Sequence, residues 1–298
     1  MSCAPRPLSS VAPLSEHAVA LHRLPDAHSG AAAQVLAQQR TLASEVPIAL
    51  VFNGISHAVM LATPLDLEDF ALGFALSEGL IDSAADCFGI DVTPVAASSA
   101  GLPEGMDGME VQIEISSRCF ARLKDHRRSM SGRTGCGVCG VESFAALDLS
   151  FAPLPARAWV ADIDLPVVLR AIEALRDKQL LNAHAGAIHA SGWAQADGRL
   201  GDVVEDVGRH NALDKLLGRL ARTGRLGEPG FVVLSSRGSH ELVRKCAKLG
   251  IGALATISAP TAMGVRMAEL TGLRFWGLCR APSGVLYAPG AGQPAIAK

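Results

Sequence analysis

The chain has 298 residues, enough for two domains or one large one, and its 49% hydrophobic fraction can build a real core. A net charge of −2, 19% charged residues and a 4% aromatic fraction with one tyrosine, Tyr287, exclude a generic nucleic-acid binder and a base-stacking platform for single strands. There is no apolar run of about 18 residues and no basic end followed by an apolar stretch at the start, so neither a membrane span nor a secretory leader is expected.

Residues 1–44, rich in Ala, Ser, Pro and Gln, read as a poorly ordered tail. Pro47 to Phe52 and Ile55 to Leu61 are strand-like, and Asn53-Gly54 between them is a favoured two-residue hairpin turn. Thr63-Pro64 predicts a helix start, with Thr63 as cap; Leu67, Phe70, Ala71 and Phe74 keep helical spacing, and Gly79 ends it. Met109, Val111, Ile113 and Ile115 alternate as a half-buried strand. A basic run follows, from Arg118 to Arg128, which suits a solvated helix face or a docking surface for an acidic partner.

Residues 153–157 read as a linker. Asp164 predicts the cap of a long helix reaching about Leu181, and Asp197-Gly198 a hairpin between strands near 187–194 and 200–205. Asn211 is placed as the cap of a helix running to Ala221, with Arg209 and His210 at its N-terminus, where an anion is welcome. The last third then alternates: strand 231–235, helix 241–249, strand 253–257, helix 261–270 and a last strand 273–279. This order predicts parallel strands, with ligands bound off their carboxyl ends. Three loops leave those ends, at Ser235–Ser239, Ser258–Thr261 and Cys279–Gly284; Arg237 and Arg280 fall on equivalent ones and suit an anion site. His184 and His189 are five apart, which does not place them on one helix face as a metal pair, and His189 reads as a core histidine.

Seven cysteines with no framework spacing fit a reducing, cytoplasmic setting. Cys136 and Cys139 stand out, in Ser131-Gly132-Arg133-Thr134-Gly135-Cys136-Gly137-Val138-Cys139-Gly140. Glycine loses the most backbone entropy on ordering, so four of them around two thiols predict a mobile, exposed loop. Structural zinc needs two further ligands, and there is no second CxxC and no deaminase signature of His-x-Glu before Pro-Cys-x-x-Cys. A thioredoxin-like helix start is disfavoured by the flanking glycines. Zinc, redox and packed-thiol roles stay open beside a nucleophilic or sulfur-carrying loop, which Arg127, Arg128 and Arg133 favour by supporting thiolate. Cys246 falls mid-helix and reads as buried.

From about Glu45 to Tyr287 the chain resembles the formate dehydrogenase accessory sulfurtransferases (the FdhD/NarQ family). The likeness rests on Thr63-Pro64 with Asp66-Leu67-Glu68-Asp69, Ser77-Glu78-Gly79, Arg133 to Gly140, Glu205 to Lys215 and Ser258-Ala259-Pro260-Thr261. It implies a sulfurtransferase that takes persulfide sulfur from a cysteine desulfurase and passes it to the molybdenum bis(molybdopterin guanine dinucleotide) cofactor before insertion into formate dehydrogenase. Carried over, Cys136 is the persulfide-bearing cysteine and Cys139 its partner. Gly277, Leu278, Cys279, Arg280, Ala281 and Pro282 match the cofactor-binding segment, and Arg237, Arg209 and His210 join them as phosphate-holding candidates from the strand-end reading. The implied fold is α/β: a smaller N-terminal α+β domain at 45–150, ending in the CxxC loop, and a cytidine-deaminase-like three-layer domain at 158–298, without zinc. A homodimer in the cytoplasm is expected, with no nucleic acid or membrane partner.

Overall fold

The computed structural model describes residues 11–24, 33–129 and 152–294. Strands β1 (Leu14–Arg23) and β2 (Gln34–Ala43) pair antiparallel over their whole length, from Leu14 opposite Ala43 to Arg23 opposite Gln34. These residues were expected as a poorly ordered tail. The polar composition reads as coil, but the full antiparallel pairing of the two strands and the contact of β2 with α6 hold the ladder.

The first body is a four-stranded sheet. β3 (Val46–Phe52) and β4 (Ile55–Ala62) form the expected hairpin; Asn53 and Gly54 both have positive φ, 46° and 78°, as a tight hairpin turn requires. Helix α1 (Leu67–Ser77), β5 (Cys87–Val95), the short α2 (Ala97–Ala100), β6 (Gly108–Ile115) and α3 (Ser117–Ser129) follow. The sheet order is β4-β3-β6-β5, with β3 and β6 parallel. Ile48, Leu50, Val111 and Ile113 of the sheet meet Phe70 and Phe74 of α1 and Cys119 and Leu123 of α3 in one core.

The second body holds α4 (Ala158–Ala161), α5 (Leu165–Asp177), α6 (Leu180–Ala185), β7 (His189–Gln195), β8 (Leu200–Asp206), α7 (Arg209–Arg222), β9 (Gly230–Leu234), α8 (His240–Lys248), β10 (Ala253–Thr256), α9 (Ala262–Thr271), β11 (Arg274–Arg280) and β12 (Ser283–Ala288). Its sheet runs β12-β11-β10-β9-β7-β8; β9, β10 and β11 are parallel and the other neighbours antiparallel. α7, α8 and α9 cover one face through Leu213, Leu217, Leu242, Cys246 and Met267. α5 covers the other through Val168, Ala171, Ile172 and Leu175. β2 also rests on α6. Among the described residues no helix is long and apolar enough to cross a membrane.

Several boundaries differ from expectation for physical reasons. Thr63 does not cap a helix: it is buried, and α1 starts only at Leu67, after Asp66 in a left-handed conformation. The long helix from Asp164 breaks in two, because the Glu205 carboxylate accepts from Leu181 N and Asn182 N and caps α6 as a new helix. Gly208, not Asn211, stands at the N-cap of α7. The strand at 274–280 is not the last, since β12 adds antiparallel to its edge.

The two bodies meet where α1 crosses α7. A Cβ on Gly73 would sit 1.8 Å from Asp214 O, and one on Gly218 1.9 Å from Asp69 O, so the backbones touch at positions that only glycine can occupy. Gly73→Ala is expected to lower urea-measured stability by about 1–3 kcal/mol, toward the upper end because backbone rather than a side-chain tip must give way. Gly227→Ala, which adds a methyl in open space, should change stability by no more than about 0.5 kcal/mol.

Candidate functional site

The carboxyl ends of β8, β9, β10 and β11 and the start of β7 share one edge of the six-stranded sheet. His189 opens β7 opposite Asp206, the last residue of β8. From the end of β9, Ser235 Oγ accepts from Ala190 N at 2.8 Å, and the next loop residue but one is the exposed Arg237. Ser258, after β10, accepts through its carbonyl from Thr256 Oγ1 and Leu278 N, which fixes the second loop to the end of β11. Thr261 caps α9 by accepting from Gly264 N, and its own N–H donates to Gly238 O of the first loop. The first two loops chosen from sequence are therefore tied together by a main-chain bond, and the second is tied to β11 just ahead of the third.

Arg209 and His210 are the first residues of α7 and reach the same edge. His189 is half-buried; burial, then the positive charges of Arg209 and Arg237, push its pKa down, so it is neutral at pH 7 and near both arginines. His210 is also neutral: burial first, and Arg209 next, lower its pKa to about 4. His210 Nε2 is buried without a hydrogen-bond partner and lies 3.9 Å from Glu241 Oε2. Arg280 is exposed at the end of β11, two strands from β9, or about 10 Å across the ladder. In the segment 277–282, Gly277 and Cys279 are buried and Leu278, Arg280, Ala281 and Pro282 are exposed. Leu278 is held at φ 53°, a conformation that a non-glycine residue with a γ-branch seldom adopts. Stored backbone strain of this sort clusters at ligand sites. Burial drives the Cys279 thiol up to about 11, so it does not act as a thiolate there.

Beside this edge lies an open depression of about 420 Å³, lined by Arg176, Gln179, Asn182, His189, Ser235 and Ile257 among others. It combines amide groups, a neutral imidazole and an apolar wall under one guanidinium. Sequence reasoning did not assemble it, since its residues come from α5, α6, β7 and four connecting segments and share no motif; Ser235 lay in a chosen strand-end loop, but His189 was assigned to the core.

The dense stretch from Glu205 to Lys215 divides in two. Only Arg209 and His210 serve the edge. Asp206 is fully buried, accepts from Thr63 N, Gly208 N and Asn211 Nδ2, and pairs with Lys215 Nζ at 2.7 Å. Lys215, itself fully buried, also donates to Thr63 O. Asn211 Nδ2 reaches Leu61 O, and Val207 N donates to Thr63 Oγ1. Asp214 pairs with Lys245, which also holds Ser77 Oγ at 2.8 Å and Glu78 at 2.7 Å. Arg219 binds Asp66 and Asp69, and Arg222 binds Asp69. These residues join the two bodies.

Cys136 and Cys139 lie outside the described residues. The helix before them, α3, is fastened at its start: Arg118 pairs with Asp82 and Asp86, and Arg122 with Asp82 while donating to Gly79 O and Leu80 O. Asp82, Asp86 and Cys119 bring ligand atoms within 4.8 Å of one another, but the two arginines occupy the carboxylates. Arg118 and Arg122 thus pair with carboxylates of their own chain while staying exposed to solvent.

Fold and site together define a mixed α/β protein in which Arg209, His210, Arg237 and Arg280 lie along the carboxyl edge of one sheet. The chain belongs to the FdhD/NarQ family, whose model matches residues 43–291. It is 48% identical over 250 residues to a sulfur carrier protein FdhD of Bordetella petrii, covering 84% of this chain and 85% of that one. It is 50% identical over 246 residues to the protein of that name from Chromobacterium violaceum, covering 83% and 87%. Its fold is similar to the crystal structure of a chain from Desulfotalea psychrophila described as a formate dehydrogenase accessory protein, with a TM-score of 0.65 at 21% identity, over 92% of this chain and 96% of that one.

The buried charges make stability depend on pH in a fixed direction. Burial raises the Glu78 pKa, but Lys245 and Arg244 outweigh it and bring it from 4.5 to about 2. A depressed carboxylate pKa stabilises the fold above its unfolded value, so this contribution is present above about pH 4.5 and lost as pH falls toward about 2. Lys245→Met should cost about 3–5 kcal/mol at neutral pH, because Asp214 is left buried and uncompensated. It should also flatten the acid limb of stability against pH; an unchanged limb in urea titrations would contradict the assignment.

Proposed function

We propose that this protein is a sulfur carrier that serves the maturation of formate dehydrogenase. The observation that carries this reading is Cys136-Gly137-Val138-Cys139 in a chain of the FdhD/NarQ family, with curated relatives about half identical to it named sulfur carrier proteins. The donor is a cysteine desulfurase carrying a persulfide. Cys136 thiolate attacks the outer sulfur of that persulfide: a new sulfur–sulfur bond forms on Cys136, the donor's bond breaks, and the donor leaves as thiolate. The acceptor, as substrate, is the molybdenum bis(molybdopterin guanine dinucleotide) cofactor. Delivery follows when Cys139 thiolate attacks the inner sulfur of the Cys136 persulfide. Hydrosulfide leaves with the electron pair, and the two cysteines become a disulfide, which a thiol reductant resets.

The strand edge is the place for the cofactor. Arg209 and Arg237 flank the neutral His189 and meet phosphate oxygens, and Arg280 with the strained Leu278 segment lies farther along the same edge. The depression of about 420 Å³ has room for one guanine nucleotide end, with amides and imidazole to read a heterocycle. In this reading the second body is a zinc-free relative of the cytidine deaminase fold, the setting is the cytoplasm, and the working form is a homodimer.

Incubation with a cysteine desulfurase and cysteine should add one sulfur atom to the peptide holding Cys136 and Cys139, seen by mass spectrometry, removed by reductant and absent in Cys136→Ala. The same variant should lose formate dehydrogenase maturation while keeping the fold. Thiols that only form a disulfide, or that hold zinc, would end the carrier assignment. Arg237→Ala should weaken guanine nucleotide binding by about tenfold or more in calorimetry, since a charge-assisted hydrogen bond is worth about 1.5–3 kcal/mol.

A further inference from the structure

The β1–β2 ribbon stands out because its structure is regular and its environment is not. None of its residues is buried, and Val35 is 63% exposed, Leu36 40% and Leu42 42%. An isolated two-stranded ribbon is marginal in water; three or more strands, or a packed face, are needed for stability. β2 gains part of this from α6, but among the described residues β1 has no strand on its outer edge. That edge offers a row of unpaired N–H and C=O groups, ready to pair with another chain.

We propose that β1 pairs antiparallel with β1 of a second copy of this chain, across a two-fold axis at Val19, to form a continuous four-stranded sheet. A two-fold axis perpendicular to a sheet keeps each residue on its own face, so partners across it must be both odd or both even in number. The register centred on Val19 obeys this. It sets Val19 opposite its own copy, Ala18 opposite Ala20, His17 opposite Leu21, Glu16 opposite His22 and Ser15 opposite Arg23. No like charges face each other. The acidic Glu16 meets an imidazole twice, and the β-branched Val19 lies at the centre, where strand propensity favours it. Ala18 and Ala20 leave the other face flat enough for close approach. Such self-complementarity is what an isologous contact requires, and an unrelated partner would have no reason to match it.

This inference rests on the homodimer of the proposed function but not on its sulfur chemistry. The test uses full-length protein and measures mass by sedimentation over a range of concentrations. Val19→Lys and Val19→Glu each place like charges face to face at the axis, and each should raise the dimer dissociation constant by about tenfold or more. An equimolar mixture of the two should restore the dimer, as a lysine now faces a glutamate. Wild-type protein that is monomeric at every concentration would overturn both the homodimer and the ribbon's part in it. A wild-type dimer that both variants leave intact would overturn only the ribbon pairing. Variants that turn monomeric without rescue in the mixture would overturn the Val19-centred register.

Discussion

The structure depends on the contact of α1 with α7, where Gly73 and Gly218 let two backbones touch. Close approach of helices brings their polar flanks together with water excluded, and the flanks here are charged. Each buried cation on this junction has its carboxylate: Lys215 with Asp206, and Lys245 with Asp214 and Glu78. Removing one partner strands the other in a low dielectric, which is far costlier than the net worth of the pair. The junction is accordingly all-or-nothing and fixes how the two bodies face each other.

Both ends of the proposed chemistry are fastened to this one junction. On the acceptor side, Asp206 ends β8, and its carboxylate binds Thr63 N, Gly208 N and Asn211 across the join, so the start of α7 is set by the first body. Arg209 and His210 ride on that start. On the donor side, the turn after α1 is gripped twice. Lys245 and Arg244 hold Glu78, while Arg122 of α3 holds the carbonyls of Gly79 and Leu80. α3 leads into the stretch that carries Cys136 and Cys139. The start of α3 and the start of α7 are thus each set by contacts that cross or border the same junction.

Much of the second body was legible in the sequence, because strand–helix alternation with glycine punctuation is a local signal. Asp164 caps a helix as expected, though a shorter one, the helix expected over 261–270 forms as α9, and β9, β10 and β11 lie parallel as read. What failed were local rules overruled by distant partners. Thr63-Pro64 has the form of a helix start, but Thr63 spends its N–H, hydroxyl and carbonyl on Asp206, Val207 and Lys215, more than 140 positions away. Asn211 could cap a helix, but its side chain is drawn to Leu61 O. The ribbon at 14–43 was invisible because its stability comes from pairing and contact, not from an apolar pattern.

The same physics explains why the motif from Glu205 to Lys215 invites a catalytic interpretation. Charged and amide residues crowded together suggest chemistry when their burial is unknown. Burial separates the roles. Asp206, Asp214 and Lys215 have no access to solvent and are satisfied inside the protein, so none has a lone pair or proton to spare for a ligand. Arg209 and His210, in the same run, keep solvent contact and a depressed imidazole pKa beside the strand ends. A motif can therefore mark a family by its construction as much as by its chemistry. Here the part that builds the junction and the part that reaches the ligand edge are adjacent because one places the other.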